Sequence, residues 1–158
     1  MVEIRGNATG AQVPAMLAVA DSWKRIGVDV ETIVMAPQRA QDREYRFTRP
    51  AFEVSRNDNE VDSPKRFHGS QAPRPENNFV GTNRNRYLNA EFDAVIDAYF
   101  RTIPRQERMA ALGQIIHHMT DRVTTINLFY DVETALVSNR LQHVSFRPAW
   151  NAHEWDIG

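Results

Sequence analysis

Two strand patterns with one helix pattern between them occupy residues 2–35. The segment VEIR is a short strand candidate, and VDVETIVM begins with strict alternation and ends with apolar residues on both faces. A sheet strand that is apolar on both faces is typical of a sheet covered on both sides. Strand, helix and strand in this order predict a βαβ unit with a right-handed crossover. The apolar residues at helical spacing between the strands are Val13, Met16, Leu17, Ala20, Trp23 and Ile26.

A long segment without regular pattern follows the next two predicted elements. PQRAQDREYRF is predicted as a short polar helix and AFEVSR as the next strand. Residues 57–86 come next and contain three prolines, two glycines and six asparagines. Loops longer than about 12–15 residues without structure of their own are uncommon, and they tend to be functional or disordered. We therefore expect this long loop (residues 57–86) to be irregular and to face a ligand.

Two regular amphipathic helices follow the long loop. The first begins after Asn89, a good N-cap residue, and has Glu91 in its first turn, where the helix dipole favours an acid. The second runs from about Pro104 to Arg122, and such a helix pair can cover one face of a sheet. Beyond it, INLFY and TALVS are predicted as strands, RLQHVSF as a further strand candidate, and RPAWNAHEWDIG as an irregular tail.

Composition and charge argue against several classes of protein. The formal net charge is −1 and the pI about 6.5, whereas a duplex nucleic-acid binder usually carries a basic stripe, so we predict no nucleic-acid partner. No apolar run approaches the ~20 residues that span a bilayer, and the N-terminus lacks the layout of a secretory signal. The absence of cysteine excludes disulfides and thiolate zinc sites. These features fit a cytoplasmic protein, or a mature or truncated chain.

Four segments together resemble a known family. They are GVDVE after an amphipathic helix, NRYLNAEFDAVID, PRQERMAALGQIIHHM and TTINLFYDVETALVSNRLQHV. In this order and spacing they are similar to the C-terminal lobe of the extracellular solute-binding proteins of ABC importers. The most similar class handles dipeptides, oligopeptides, nickel complexes and related solutes. The resemblance extends from Val2 to Trp155.

The resemblance implies an α/β fold of the type II periplasmic-binding-protein kind, with a mixed, mostly parallel sheet flanked by helices. Residues 1–158 would be a single domain, the C-terminal lobe of a protein whose N-terminal lobe and lipoprotein or secretory signal are missing from this chain. Two such lobes close on a small solute, such as a peptide, and deliver it to a membrane permease. The protein would then act in the periplasm or on the outer face of a Gram-positive membrane.

The resemblance also has consequences for the tail and for association. Residues 147–158 would belong with the missing lobe, and apolar groups near Trp150 and Trp155 would lack their usual cover. Large exposed apolar patches tend to find partners, so self-association of the isolated lobe is expected. An isolated lobe offers half of the ligand contacts, and we therefore expect weak or undetectable affinity.

The segment after the third predicted strand carries the first candidate ligand-binding residues. In the resembled family this segment reaches the cleft, often with an aromatic residue and an acid that engages the positive end of a peptide. Here Arg56, Asn57 and Asp58 lie nearest the strand end, and the usual aromatic residue is absent. Ligands of open α/β sheets also collect beyond the carboxyl ends of the strands. Asp58 is a partner for a ligand amine or a solvated turn residue; Arg56 binds a carboxylate or pairs with Asp58 or Glu60.

Phe67 and His68 complete the set of candidates. Within a polar loop they would form an apolar wall of the cleft; alternatively, Phe67 anchors the loop to the core. The candidate ligand-binding residues are therefore Arg56, Asn57, Asp58, Phe67 and His68. No cofactor and no metal ligand set is predicted.

Two other functions stay open at this level. Some transcriptional regulators carry a solute-binding-like domain after their DNA-binding domain, and this chain could be a lobe of such a solute-sensing domain. A metal-dependent hydrolase would use His117, His118 and Asp121, but adjacent helical side chains diverge by about 100°, and neither histidine has another at i+4. The chain has no cysteine, no G-x-S-x-G nucleophile elbow and no Walker or Rossmann phosphate loop. We therefore predict a binding protein and not an enzyme.

Overall fold

The computed structural model describes residues 1–48, 51–131, 134, 136–144 and 152–157. The chain divides into two compact units, Met1–Thr124 and Thr125–Gly158. The first unit contains the elements that position the candidate site. In chain order they are β1 (Val2–Asn7), α1 (Gln12–Arg25), β2 (Val30–Met35), α2 (Pro37–Gln41), α3 (Arg43–Thr48), β3 (Phe52–Val54), α4 (Ala90–Arg101) and α5 (Arg105–Asp121).

The first unit is built on a three-stranded sheet in the order β2-β1-β3. Both neighbours run parallel to β1, with Val2 opposite Val30 at one end of the first pair and Gly6 opposite Val54 in the second. The predicted βαβ unit is confirmed, and so is an α/β fold with a small parallel sheet flanked by helices.

The crossover helices lie on opposite faces of the sheet. Ile4 packs with Met16 and Ala20 of α1, where the buried apolar core of the sheet lies. Its neighbour Arg5 points to the other face, where its Nη2 donates to the backbone carbonyl of Arg46 in α3. One face of the sheet is therefore closed by apolar packing and the other by charged side chains.

The long loop is more ordered than predicted. It contains three 3₁₀ helices, Ser63–Phe67, Gly69–Gln71 and Pro75–Asn77. Asn83, which is 1% exposed, donates from Nδ2 to the carbonyls of Phe67, His68 and Tyr87 at 3.1, 3.3 and 2.9 Å. A prediction of irregular structure was wrong here because 3₁₀ turns depend on short local hydrogen bonds, which leave no apolar periodicity in the sequence.

The predicted helix pair is confirmed as α4 and α5, with the N-cap at Asn89. Its Oδ1 accepts from the backbone N–H of Phe92 at 2.9 Å. Phe92, Ile96 and Tyr99 of α4 and Ile115 of α5 form a buried cluster. Among the described residues packed on this cluster, the others come from the two helices, the long loop and its exit, and none from a strand. The pair therefore packs against the long loop, whereas the sequence suggested packing on a sheet face.

Several predicted elements in the first unit have different bounds. The polar helix of residues 37–47 is divided at Asp42, whose Oδ1 accepts from the N–H of Tyr45 at 3.0 Å and so starts α3 as a separate helix. The third strand is shorter than predicted. No described helix is long and apolar enough to cross a membrane.

The second unit differs most from the predictions. Residues 126–130 and the described part of the next predicted strand, 134 and 136–138, are not in strands. Within RLQHVSF only β4 (Leu141–Gln142) forms, and it pairs antiparallel with β5 (Asp156–Ile157) in the tail predicted to be irregular. A 3₁₀ helix spans Ala152–Glu154. Trp150 lies outside the described residues, and Trp155 is half-buried.

Candidate functional site

The carboxyl ends of β1 and β3 lie side by side, because Gly6 pairs in register with Val54. The chain leaves β1 toward β2 by way of α1 and then returns past β1 by way of α2 and α3 to reach β3. Because of this reversal of strand order, α1 and α3 lie on opposite faces of the sheet. In open α/β sheets, ligands bind in the crevice that such a reversal leaves beyond the strand ends. Residues 7–10 and 55–58 surround this position, which we call the strand edge.

Asn7 is a polar residue at the strand edge that sequence reasoning missed. Its backbone N–H donates to Oε1 of Gln12 at 3.1 Å, which closes the turn into α1. Its side-chain Oδ1 is buried and has no hydrogen-bond partner among the described residues. Buried acceptors are nearly always paired, so this oxygen is an unsatisfied acceptor at the strand edge. A short polar residue at the carboxyl end of the first strand of a βαβ unit was the available signal.

Arg56, Asn57 and Asp58 lie just beyond Ser55, which follows β3; Arg56 was predicted as the last residue of that strand and lies outside it. The side chain of Asn57 is engaged within the protein: Oδ1 accepts from Nη1 of Arg66 at 2.7 Å, and Nδ2 donates to Oγ of Ser55 at 3.3 Å. The backbone carbonyl of Asp58 accepts from Oγ of Ser63 at 2.8 Å. The residue itself is exposed. Arg56 is also exposed. Asp58 therefore offers a carboxylate that is unpaired among the described residues, while the side chain of Asn57 bonds to Ser55 and Arg66.

Phe67 and His68 connect the long loop to the helix pair. Phe67 is half-buried and packs on the α4–α5 cluster, which is the anchoring role considered from the sequence. Nδ1 of His68 accepts from the N–H of Ser70 at 3.1 Å, and its Nε2 lies 3.6 Å from Oδ1 of Asp97 in α4. The structure ties this pair to α4, and the preceding residues Ser63 and Arg66 bond to Asp58 and Asn57 at the strand edge.

Ser70, His68 and Asp97 stand in the order of a hydrolase triad. Oγ of Ser70 lies 2.8 Å from Nδ1 of His68, whose other nitrogen faces Asp97. Acyl transfer also needs donors aimed at a developing oxyanion. The neighbouring N–H of Gly69 is already donated to Oδ1 of Asp93 at 2.8 Å. His68 therefore caps the 3₁₀ helix Gly69–Gln71, and the three residues do not by themselves indicate catalysis.

Three arginines surround one glutamate on the α3 face of the sheet. Glu53 of β3 lies 3.2 Å from Nη2 of Arg5 and 3.1 Å from Nη1 of Arg84, and it also pairs with Arg46. We call these four residues the arginine cluster. Burial alone would raise the pKa of Glu53, but the hydrogen bond from Arg46 and the three positive charges outweigh it and hold the pKa below its ordinary value.

The arginine cluster carries more positive than negative charge. The pKa of Arg84 is lowered, first by burial and then by the charge of Arg46, although Glu53 acts in the opposite sense. Arg5 is only 4% exposed, and its Nε and Nη1 are buried without an acceptor among the described residues. One carboxylate therefore does not satisfy the three guanidinium groups.

Two concave regions lie outside the strand edge. The first, which we call the α3 pocket, has a volume of about 370 Å³ and lies between α3 and the long loop. The residues of its wall include Arg43, Arg46, Phe47, Phe79, Gly81 and Thr82.

The second concave region, of about 330 Å³, contains His117, His118 and Asp121. Nε2 of His118 lies 2.9 Å from the hydroxyl of Tyr87, and its ring stacks on Phe92 at 4.4 Å between centroids. In the described part of the chain, no group of three or more His, Asp or Glu side chains is placed to hold a metal ion. The structure therefore adds no support for the metal-dependent hydrolase.

Comparison with known proteins provides no further guide to function. The chain matches no protein-family model, and no curated protein is significantly similar to it.

Proposed function

We propose that this chain is the solute-binding lobe of an extracellular solute-binding protein of an ABC importer, and that it is not an enzyme. The observation that carries the proposal is the reversal of strand order at β1. In open α/β sheets ligands bind beyond the carboxyl ends of the strands at such a reversal, and here that position lies beside the start of the long loop. The resemblance of four segments to the C-terminal lobe of that family supports the same reading.

The contacts at the strand edge favour a ligand that carries both a donor and a positive charge. Asn7 presents a buried carbonyl oxygen without a donor, and Asp58 presents an exposed carboxylate. Both groups accept hydrogen bonds, so an ammonium group of a peptide or of a similar solute is complementary to them. We propose Asp58 and Asn7 as the principal ligand contacts of this lobe.

The proposed mechanism is differential binding. A ligand shifts a two-lobed protein toward its closed arrangement only if it interacts better with that arrangement. Contacts at the strand edge supply part of this difference, and a second lobe supplies the rest. A single lobe therefore holds the ligand weakly, and delivery to a permease depends on closure.

The proposal is tested by NMR titration of the isotope-labelled chain with dipeptides such as Gly-Leu and Ala-Phe. We expect binding of about millimolar strength or weaker, with chemical-shift changes at residues 7–10 and 55–58. The Asp58→Asn variant should lose most of these changes, since a charge-assisted hydrogen bond contributes about 1.5–3 kcal/mol. The matched control is Asp62→Asn, which removes the same charge at an exposed position of the same loop.

Three results would contradict the proposal. One is micromolar affinity of this chain alone, which would mean that the site is complete without a second lobe. Another is a set of shift changes that leaves the strand edge untouched. The third is equal weakening by Asp58→Asn and Asp62→Asn, which would indicate a general effect of charge.

A further inference from the structure

The α3 pocket is separate from the strand edge. Its lining comes from α2, α3 and residues 71–82 of the long loop and includes none of residues 7–10 or 55–58. A volume of about 370 Å³ lies within the range of small-molecule sites in proteins. A ligand here would thus be independent of a ligand at the strand edge.

The walls of the α3 pocket combine positive charge with aromatic surface. Arg43 and Arg46 stand on the side of α3, and Phe47 and Phe79 are half-buried beside them. Arg43 is exposed, and its side chain has no hydrogen bond or ion pair among the described residues. Binding sites for small organic ligands are usually lined mostly by apolar and aromatic side chains, with a few polar groups that fix the orientation of the ligand. This wall matches a ligand with one anionic end and one apolar end.

The arginine cluster next to the pocket strengthens the preference for an anion. Arg46 belongs to both, and the side chains of Arg5 and Arg46 are only 5% and 15% exposed. Like charges repel more strongly where water is excluded. With one carboxylate among three guanidinium groups, a further anion beside Arg46 would offset positive charge that the ion pairs of the described residues leave uncompensated.

We propose that the α3 pocket binds a small organic oxyanion, with its carboxylate or phosphate group on Arg43 and Arg46 and its apolar body against Phe47 and Phe79. The planar guanidinium group of Arg43 would recognise either oxyanion through paired hydrogen bonds. Arg46, whose Nε and Nη2 donate to Glu53, would add positive charge beside it. Gly81 allows the two loop segments on this side of the pocket to approach closely, because a Cβ there would lie 2.1 Å from the carbonyl oxygen of Gln71.

The test is an NMR titration of the full chain with four probes: benzoate, phenyl phosphate, inorganic phosphate and neutral benzamide. We expect saturable shift changes at residues 43–47 and 79–82 with benzoate or phenyl phosphate, and weaker or no binding of the other two. Tighter binding of phenyl phosphate assigns a phosphate ligand and tighter binding of benzoate a carboxylate, and either result supports the site.

The deciding variant is Arg43→Gln, because Arg43 is exposed and makes no contact that the fold requires. It should weaken binding about ten-fold, which is the loss expected for one charge-assisted hydrogen bond. The matched control is Arg105→Gln, which removes the same charge from an exposed position at the start of α5. The control should bind the anions as the unchanged chain does.

The proposal is overturned if neither organic anion gives saturable shifts at the pocket, or if benzamide binds as well as benzoate. It is also overturned if Arg105→Gln weakens binding as much as Arg43→Gln. None of these results depends on dipeptide binding at residues 7–10 and 55–58, so the two proposals succeed or fail separately.

Discussion

The side-chain amide of Asn83 joins separate segments of the long loop by hydrogen bonds. Its Nδ2 reaches the carbonyls of the adjacent loop residues Phe67 and His68 and the carbonyl of Tyr87 at the loop exit. A segment without a sheet ladder must satisfy its buried backbone groups in another way, and here a buried side chain supplies the donors. The six asparagines of residues 57–86 indicated turns, but the sequence could not show which one lies inside.

Replacing Asn83 with alanine should lower the free energy of unfolding by about 2 kcal/mol or more, because buried carbonyls lose their donor. Urea denaturation followed by circular dichroism measures this change. Asn59→Ala is the control, since Asn59 is exposed in the same loop and should change stability by less than about 0.5 kcal/mol. Equal effects of the two substitutions would show that Asn83 does not organise the loop.

Glu53 makes stability depend on acid pH. Its folded-state pKa lies below the ordinary value of 4.5. The stability that it contributes is therefore fully present above about pH 4.5 and is lost as the pH falls through the folded-state pKa. We expect the unfolding free energy of the unchanged chain to drop in this acid range.

Glu53→Gln should lower stability by about 3 kcal/mol at pH 7, because three arginines lose their carboxylate. It should also flatten the dependence of stability on pH below 4.5. Urea titrations at pH 7, 4 and 3 measure both effects, and Glu31→Gln, at an exposed position of β2, is the control. An acid dependence that is the same in the unchanged chain and in Glu53→Gln would refute this role.

At the scale of elements, strong periodicity was a good guide. The βαβ unit and the helix pair were predictable because apolar residues recur with the period of each element over many residues. The short elements were not: Asp42 splits one predicted helix by capping the next, and residues 126–130 have strand-like composition without forming a strand. A strand requires a partner for its backbone groups, and the partner is not encoded in the segment itself.

The candidate site was predictable to the same degree. Arg56 to Asp58 lie just beyond the end of β3, where ligands of open α/β sheets collect, and their role in ligand binding stays a prediction. Asn7, Arg43 and Arg46 were not among the candidates because only the structure shows what sets them apart. Oδ1 of Asn7 is buried without a donor among the described residues, and the two arginines line the α3 pocket. Such neighbours are brought together by the tertiary fold and leave no local pattern.

Two glycines in different elements should respond oppositely to alanine. At Gly81, a Cβ would lie 2.1 Å from the Gln71 carbonyl oxygen, so Gly81→Ala should destabilise the long loop by about 2 kcal/mol. Gly113 lies inside α5 with nothing within 4 Å of its Cβ position, so Gly113→Ala should stabilise the protein by about 1 kcal/mol. Thermal unfolding of the two variants measures the signs, and a stabilising Gly81→Ala would contradict the packing described for the loop.

At the scale of the whole molecule, the chain consists of two compact units of different size. The sheet, the helix pair, the long loop, the strand edge and the α3 pocket all belong to the first unit. Both buried apolar clusters also lie within it. The second unit contributes the β4–β5 pair.

A chain shortened to residues 1–124 should therefore fold by itself. We expect one cooperative thermal transition within a few degrees of that of the full chain, and an amide NMR spectrum that overlays the corresponding signals. A shortened chain with no cooperative transition would mean that residues 125–158 complete the core of the first unit.

The bonds between the long loop and α4 have a consequence for ligand affinity. Gly69 is bonded to Asp93, and the hydroxyl of Tyr99 donates to the carbonyl of Val61 at 2.9 Å. Fixing a flexible backbone costs about 1–2 kcal/mol of conformational entropy per residue, and in this molecule that loss accompanies folding. A solute that arrives later meets a preorganised surface, so its binding free energy is not reduced by the ordering of some thirty residues.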